Sequence, residues 1–213
     1  MEAKYGMRVI FGHGRRASAL IVMTAAVLAL TGCGEQEARQ RFQSTDITGV
    51  DWGRDFDLTD HTGRQRRLGD FRGKVTMLFF GFTHCPDMCP LTLAKMAQAV
   101  ERLGDDSKQV QGLFVTLDPK RDTPELLARY VPSFYATFLG LYASPERIAA
   151  TAKEFKVFYA LQPPDEHGFY TVDHQTAIFV FDSAGRLRLY MSGETTVSVI
   201  AHDLKALLAE TRA

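Results

Sequence analysis

The stretch VTMLFFGFTHCPDMCP, residues 75–90, joins an apolar run to a loop that carries Cys85 and Cys89. The run at 75–82 is almost continuously apolar, which is typical of a strand buried on both faces of a sheet. Pro90 suits the first turn of a helix and disfavours helical geometry in the residue before it, so we expect the next helix to begin after Cys89. The two cysteines are therefore predicted to lie between a central strand and a helix.

The rest of the sequence predicts an α/β domain. After the cysteine loop, strands and capped helices alternate, and the pattern then changes to two strands followed by an amphipathic helix. Upstream, alternating residues and a turn sequence at 52–74 indicate a β-hairpin. We predict a central mixed β-sheet flanked by helices, with an N-terminal β-hairpin. The expected strands lie at 75–82, 112–117, 138–142, 176–181 and 186–191, and the expected helices lie after Cys89, after Thr123, after Ser144 and at 196–208.

The first 33 residues have the pattern of an export signal. Four basic residues precede a largely apolar run at 17–30 that is too short to span a membrane comfortably. The run ends in LTGC, residues 30–33, which resembles the bacterial lipobox. We therefore expect residues 1–33 to be a lipoprotein-type signal peptide and Cys33 to be lipidated. The predicted location of the protein faces the periplasm, with a lipid anchor in a bacterial membrane.

The residues after the leader divide into a tether and a domain. Residues 34–50 are polar and lack an apolar period, which indicates a tether, and residues 51–213 are predicted to form the domain. Without the leader the chain has 21 basic and 24 acidic residues, so its charge argues against a nucleic-acid partner. In an oxidising compartment, a free pair of thiols needs a chemical reason to stay reduced.

Two cysteines at this spacing are compatible with a structural disulfide, a redox couple or a soft-metal site. The order of strand, cysteine loop, helix, hairpin and helix resembles a thioredoxin-like domain, in which the loop entering the late hairpin strand packs beside the cysteine loop. Here that loop is DHQT, residues 173–176, with a histidine and no proline where thioredoxins have a cis-proline. The resemblance implies that Cys85, Cys89 and His174 share one rim. Two thiolates and an imidazole suit copper or zinc better than hard metals, and zinc usually takes a fourth ligand, which is not obvious in this sequence.

Three stretches of the chain resemble the Sco/SenC family of copper chaperones that serve cytochrome c oxidase. They occur in the family's order and at roughly its spacing, and the resemblance covers about residues 53–208. The matching stretches are GFTHCPDMCP at 81–90, VTLDPKRDTPE at 115–125 and YTVDHQTAIFVFDSAGR at 170–186.

The resemblance also implies roles for individual residues. Cys85, Cys89 and His174 take the positions of the family's copper ligands, for Cu(I), Cu(II) or both. Three further residues match an acidic loop near that site, where they are expected to contact either a ligand or a partner protein. These residues are Asp118, Arg121 and Asp122.

The function implied by the resemblance is that of a membrane-anchored copper metallochaperone rather than an enzyme. It would pass one copper to the dinuclear copper site of a cytochrome c oxidase subunit, with another periplasmic copper carrier or a thiol reductase as further partners. The alternative is a thiol-disulfide oxidoreductase in which Cys85 and Cys89 keep the oxidase's copper-binding cysteines reduced. His174 distinguishes the two, because a reductase needs no metal ligand there.

Two other classes of function fit the sequence less well. A peroxidase would need a positive neighbour that lowers the pKa of its cysteine, and the cysteine loop has none apart from His84 if that residue is protonated. A structural lipoprotein with an incidental disulfide would not explain why a histidine stands opposite the cysteine loop.

Overall fold

A computed structural model of the protein describes residues 41–212, so the predicted signal peptide, Cys33 and most of the predicted tether lie outside the described residues. The strands are β1 (Thr45–Asp46), β2 (Leu58–Asp60), β3 (Gln65–Arg66), β4 (Val75–Gly81), β5 (Val110–Thr116), β6 (Leu139–Tyr142), β7 (Tyr159–Leu161), β8 (Val172–His174), β9 (Ala177–Phe181) and β10 (Leu187–Ser192). The α-helices are α1 (Met88–Glu101), α2 (Pro124–Tyr130), α3 (Pro145–Glu154) and α4 (Val197–Arg212), and short 3-10 helices span Leu68–Phe71 and Gly104–Gln109. Eight strands form one sheet in the order β1-β10-β9-β4-β5-β6-β2-β3, and β7 and β8 form a separate small sheet.

Strands β4 and β5 form the centre of the large sheet. Every residue of both strands is buried, and they pair in parallel from Val75 opposite Val110 to Gly81 opposite Thr116. Strand β6 continues in parallel beside β5, while β9 runs antiparallel on the other side of β4. Parallel strands covered on both faces need an apolar run rather than an alternating pattern. The arrangement confirms the predicted central mixed sheet.

Helices flank this sheet, and two of them begin at the predicted capping residues. Thr123 accepts the N–H of Leu126 at 3.3 Å at the start of α2, and Ser144 accepts the N–H of Arg147 at 3.4 Å at the start of α3. Proline follows each cap, where its missing N–H removes no helical hydrogen bond. Helix α1 packs against α4, and α2 packs on β6. None of the helices within residues 41–212 has the length and apolar character needed to cross a membrane.

The predicted N-terminal hairpin consists of β2 and β3, which pair antiparallel. The buried carboxylate of Asp60 organises its turn by accepting the backbone N–H groups of Thr62 at 2.8 Å and Arg64 at 3.2 Å. The Nε group of Arg66 donates to the same carboxylate at 2.7 Å. Because β2 also pairs with β6, the hairpin is part of the large sheet.

Helix α1 begins earlier than the sequence indicates. It starts at Met88, so Cys89 lies in its first turn and the expectation of a helix beginning after Cys89 is wrong. Proline is tolerated within a first turn, since those N–H groups have no intrahelical acceptor, and Pro90 therefore does not mark the helix start. The Cys89 N–H donates to the sulfur of Cys85 at 3.4 Å, which gives one of these groups a partner.

The domain also begins earlier than residue 51. Phe42–Ala213 forms one compact unit, and β1 pairs with β10 at the sheet edge, so the last part of the predicted tether is folded. The backbone N–H groups of Gln43 and Ser44 donate to the buried carboxylate of Asp203 at 2.8 Å and 2.9 Å. These contacts join distant parts of the sequence, so a polar stretch without an apolar period carries no local sign of them.

Candidate metal centre

The cysteine loop follows the carboxyl end of the central strand β4. Cys89 is buried there and Cys85 is half-buried. Gly81, the last residue of β4, lies beside the Cys89 sulfur. A Cβ atom at this position would meet the ring of Phe114 at 2.8 Å and the sulfur of Cys89 at 3.0 Å. The absence of a side chain at Gly81 therefore lets the Cys89 sulfur approach the strand, a role that the sequence alone does not reveal.

His174 approaches Cys89 from the small sheet. It is the last residue of β8, where it pairs with Tyr159, so it ends a strand instead of lying in the expected loop. Its ring packs edge-on against Phe82 with centroids 5.9 Å apart, and it is tilted against Phe79 at 6.3 Å. This packing places Nε2 of His174 at 3.4 Å from the sulfur of Cys89.

The surroundings of His174 favour a neutral ring with its proton on Nδ1. Its Nδ1 atom lies 3.1 Å from the carbonyl oxygen of Gln175, which can only accept, so Nδ1 carries the proton and Nε2 presents a lone pair to Cys89. Burial lowers the pKa of His174, and burial raises the pKa of the Cys89 thiol well above its usual range. In the reduced protein without metal, the Cys89 S–H group therefore donates to Nε2. A metal ion that binds both atoms must displace that proton.

Cys85 lies next to Cys89 and His174, but its sulfur contacts the Cys89 backbone instead of facing the two donor atoms. Its sulfur accepts the N–H of Cys89 and so lies over the first turn of α1. Within residues 41–212, no three histidine, cysteine or acidic side chains converge as a complete metal-binding group. The structure thus brings Cys89 into contact with His174 and holds Cys85 beside Cys89. The three side chains must still adjust before they share one ion.

Asp122 fixes the start of the cysteine loop. Its buried carboxylate accepts the backbone N–H of Thr83 at 3.0 Å and the hydroxyl of Thr116 at 2.6 Å, and the Thr83 hydroxyl donates to it as well. Thr116 ends β5, so Asp122 joins the loop to the neighbouring strand. His84, exposed beside Cys85, has its Nδ1 atom 3.6 Å from Asp122.

Asp118 and Arg121 contact the hairpin that carries His174. The Nε group of Arg121 donates to the buried carboxylate of Asp118, and its Nη1 group donates to the carbonyl oxygen of Tyr170 at 2.8 Å. The Tyr170 hydroxyl donates to Asp118 at 2.8 Å, and the Arg121 guanidinium lies 3.5 Å from the centroid of the Tyr170 ring. Tyr170 begins the family-resembling stretch at 170–186, but the sequence alone does not show that it contacts Asp118 and Arg121.

The SCO1/SenC family profile matches residues 44–209, which is most of the chain. This chain belongs to the SCO1/SenC family. The mitochondrial SCO2 homolog of Bos taurus, a relative with a similar sequence, is 42% identical over 160 residues, which is 74% of this chain. The alignment covers 60% of the bovine protein, so this SCO1/SenC chain matches about three fifths of that relative's length.

Two solved Sco structures resemble this SCO1/SenC chain in fold as well as in sequence. ScoI of Bradyrhizobium japonicum, solved with copper bound, is 35% identical with a TM-score of 0.66, and the match covers 73% of this chain and 98% of that one. The apo Sco1 protein of Thermus thermophilus is 40% identical with a TM-score of 0.70, over 78% of this chain and 96% of that one. These likenesses confirm the predicted thioredoxin-like fold.

The predicted site residues of this SCO1/SenC chain fall into two groups, the expected metal ligands and the residues that hold the nearby loops. The expected ligands meet or adjoin one another at the end of β4, although ligation itself stays a prediction. Asp118 and Asp122 are buried and make contacts that hold loops in place. Cys33, the predicted lipidation site, lies outside the described residues.

Proposed function

We propose that this protein is a copper carrier that binds one copper through Cys85, Cys89 and His174. It delivers the copper to the dinuclear copper site of a cytochrome c oxidase subunit. The observation that carries the proposal is the 3.4 Å contact between the Cys89 sulfur and Nε2 of His174, with the Cys85 sulfur beside the same helical turn. Sulfur and imidazole nitrogen are ligands that suit copper. The copper-bound relative from Bradyrhizobium japonicum supports the choice of metal.

This set of ligands suits both common oxidation states of copper. Two thiolates favour Cu(I), and the imidazole helps the site to accept Cu(II). Because Cys89 is protonated in the metal-free protein, copper loading releases protons. The sulfurs lie at the start of α1, where the helix N-terminus favours the negative charge that they acquire.

Delivery of copper proceeds by ligand exchange at the open side of the site. Cys85 is half-buried, whereas Cys89 is buried, so a thiolate of the oxidase subunit reaches the ion beside Cys85 first. Each ligand of the carrier is then replaced in turn, and copper is never released into solution. A site formed by a surface loop permits such an exchange, whereas an enclosed site would prevent it.

The carrier works on the periplasmic side of a bacterial membrane. Cleavage before Cys33 and lipidation of that residue would hold the domain near a membrane-bound oxidase, and the LTGC sequence at 30–33 supports both steps. Residues 34–41 would then serve as the tether, since the compact unit begins at Phe42.

A thiol-disulfide reductase is the second candidate, and the unequal exposure of the two cysteines favours it. The Cys85 thiolate would attack a substrate disulfide and release one substrate thiol. Cys89 would then attack the mixed disulfide, release the second thiol and leave a Cys85–Cys89 disulfide, which a periplasmic thiol reductant would reduce. The raised pKa of Cys89 makes its thiolate scarce, which slows the second step.

Complementation of a deletion strain distinguishes the two functions. If the protein is a copper carrier, the His174→Ala variant should restore oxidase activity in cells that lack this gene about as poorly as the Cys85→Ser variant does. Extra copper in the medium should partly rescue both variants. His167→Ala, on the exposed loop of the same hairpin, is the matched control and should complement fully. Full complementation by His174→Ala together with failure of Cys85→Ser would exclude the copper-carrier function in favour of the reductase.

A further inference from the structure

Three side chains outside the proposed ligand set connect the turn after β5 to the hairpin of β7 and β8. They are Asp118, Arg121 and Tyr170, which we call the hairpin latch. Arg121 donates to the Asp118 carboxylate and to the Tyr170 carbonyl oxygen, and the Tyr170 hydroxyl donates to Asp118. The Arg121 guanidinium also stacks on the Tyr170 ring, 3.5 Å from its centroid. Each member of the latch therefore contacts the other two.

The latch is anchored to the large sheet at the end of β5. Asp118 is buried, and its backbone N–H donates to the Thr116 hydroxyl at 2.9 Å. That hydroxyl donates to the carboxylate of Asp122, which also holds Thr83 at the start of the cysteine loop. One short turn between β5 and α2 thus holds the cysteine loop through Asp122 and the hairpin of His174 through the latch.

The hairpin needs such an attachment because it is a small unit. Strands β7 and β8 have three residues each and form a sheet of their own, and a two-stranded hairpin alone is only marginally stable in water. Residues 163–169 near its tip are all exposed. At its base, the Gln175 side chain donates to the hydroxyl of Tyr190 at 2.8 Å. Tyr170 provides an attachment on the other side of His174, towards the tip.

We propose that the hairpin latch positions His174 for the metal. Arg121 and Tyr170 are then positioning residues, which affect copper through the imidazole without touching the ion. The proposal rests on the proposed role of His174 as a ligand. Tyr170 lies just before β8 and His174 ends it, so a shift at the latch passes along one short strand to the ring. Releasing the latch would loosen the contact between His174 and Cys89, while Asp122 still holds the cysteine loop.

Variants of the latch should therefore weaken copper binding without removing a ligand. Arg121→Gln removes the charge and the stacked guanidinium, whereas Tyr170→Phe removes only the hydroxyl and keeps the ring. Loss of a group that orients a metal ligand typically lowers metal affinity about 10–100-fold, and we expect a loss in that range for Cu(II) with Arg121→Gln and a smaller one with Tyr170→Phe. Arg129→Gln makes the same substitution at an exposed arginine of α2 and should leave the affinity unchanged.

A double-mutant cycle tests whether Arg121 acts through His174. The full-length protein, purified in detergent and reduced, is titrated with Cu(II) against a competing chelator, and electron paramagnetic resonance spectra are recorded. The set comprises the wild type, Arg121→Gln, His174→Ala and the double variant. Arg121→Gln should weaken Cu(II) binding and alter the spectrum when His174 is present, and it should add nothing when residue 174 is alanine. Equal losses in both backgrounds, or no loss in either, would overturn the proposal.

A measurement without metal separates the latch from the copper function itself. Nitrogen NMR shifts of the His174 ring report its tautomer, and Arg121→Gln and Tyr170→Phe should both move them towards a mixture of tautomers, while Arg129→Gln should not. Thermal unfolding shows whether each variant is folded. If Arg121→Gln does not fold, Tyr170→Phe takes its place as the test variant. If His174→Ala leaves Cu(II) binding unchanged, the ligand assignment fails, but the NMR shifts still decide whether the latch positions the ring. Unchanged shifts in the folded latch variants would disprove that positioning.

Discussion

The sulfur of Cys89 lies 3.4 Å from Nε2 of His174, across 85 residues of chain. One atom comes from the first turn of α1 and the other from the end of β8, so the contact depends on the folded domain. Burial raises the pKa of the thiol and lowers that of the imidazole, which keeps both groups neutral. A metal ion therefore meets two suitable donors already together, and it displaces the thiol proton of Cys89 when it binds.

Replacing the imidazole should affect Cu(II) more than Cu(I). His174→Ala leaves both thiols for Cu(I), but it removes the nitrogen that helps the site to hold Cu(II). Loss of a group that only supports a ligand costs about 10–100-fold in metal affinity, so loss of the ligand should cost at least as much. Chelator competition and the Cu(II) spectrum measure the effect, with His167→Ala as a control on the same hairpin. An unaltered spectrum in His174→Ala would remove this residue from the ligand set.

Oxidation of the cysteines should block copper loading. Cys85 and Cys89 are free thiols, and the Cys89 backbone N–H donates to the Cys85 sulfur, so the two residues are close. A two-electron oxidant would convert them to a disulfide with loss of two protons. Metal binding requires thiolates, so the disulfide form should take up no copper until a reductant restores the thiols. Thiol titration run in parallel with copper uptake checks this. Full loading of the oxidised protein would contradict it.

The strands at the centre of the fold could be predicted because their signals are local. Residues 75–82 need apolar side chains on both faces, and Thr123 and Ser144 cap helices through hydrogen bonds three residues away. By contrast, β1 has two exposed residues and pairs with β10, while the two residues before it donate to Asp203. Such contacts join distant parts of the chain, and no local pattern indicates them.

The candidate site could be predicted only in part for the same reason. The spacing of Cys85 and Cys89 is local, but only a resemblance to known proteins predicts that His174 approaches them. The roles of Gly81 and Tyr170 depend on what lies opposite them in the fold, namely the Cys89 sulfur and the Arg121 guanidinium. Neither contact can be inferred from the residues next to them in sequence.

The leader should be cleaved and the new N-terminus lipidated. The LTGC sequence at 30–33 predicts cleavage before Cys33 and addition of lipid to its sulfur. Mass spectrometry of the protein from membranes of a Gram-negative host should find a chain that begins at Cys33 with the mass of the lipid. Cys33→Ser should abolish both the processing and the added mass. A mature chain that begins elsewhere without lipid would refute the prediction.

Stability should fall in acid as Asp60 becomes protonated. Burial alone would raise the pKa of Asp60, but hydrogen bonds led by those from Thr62 and Arg66 outweigh it and lower the pKa from 3.8 to about 2. Because the folded pKa is the lower one, the carboxylate stabilises the fold fully above its unfolded pKa, and this contribution is lost as the pH falls towards 2. The shift corresponds to about 2 kcal/mol.

Urea unfolding of the wild type and Asp60→Asn across the acid range measures this contribution. The free energies of unfolding should differ most above the unfolded pKa of the carboxyl group and converge as the pH approaches the folded value. A difference that stays constant with pH would show that Asp60 does not titrate in this way.

A side chain at Gly81 should disturb both the core and the site. The Cβ of Gly81→Ala would lie 2.8 Å from the Phe114 ring and 3.0 Å from the Cys89 sulfur, so at least one of them must move. Overpacking of a buried position typically costs about 1–3 kcal/mol, and displacement of the sulfur should lengthen its contact with His174. We expect a lower free energy of unfolding in urea and an altered Cu(II) spectrum. Gly69→Ala is the matched control, because a Cβ there meets nothing within 4 Å. Wild-type stability and an unchanged spectrum in Gly81→Ala would show that the Cys89 sulfur does not depend on this close approach to β4.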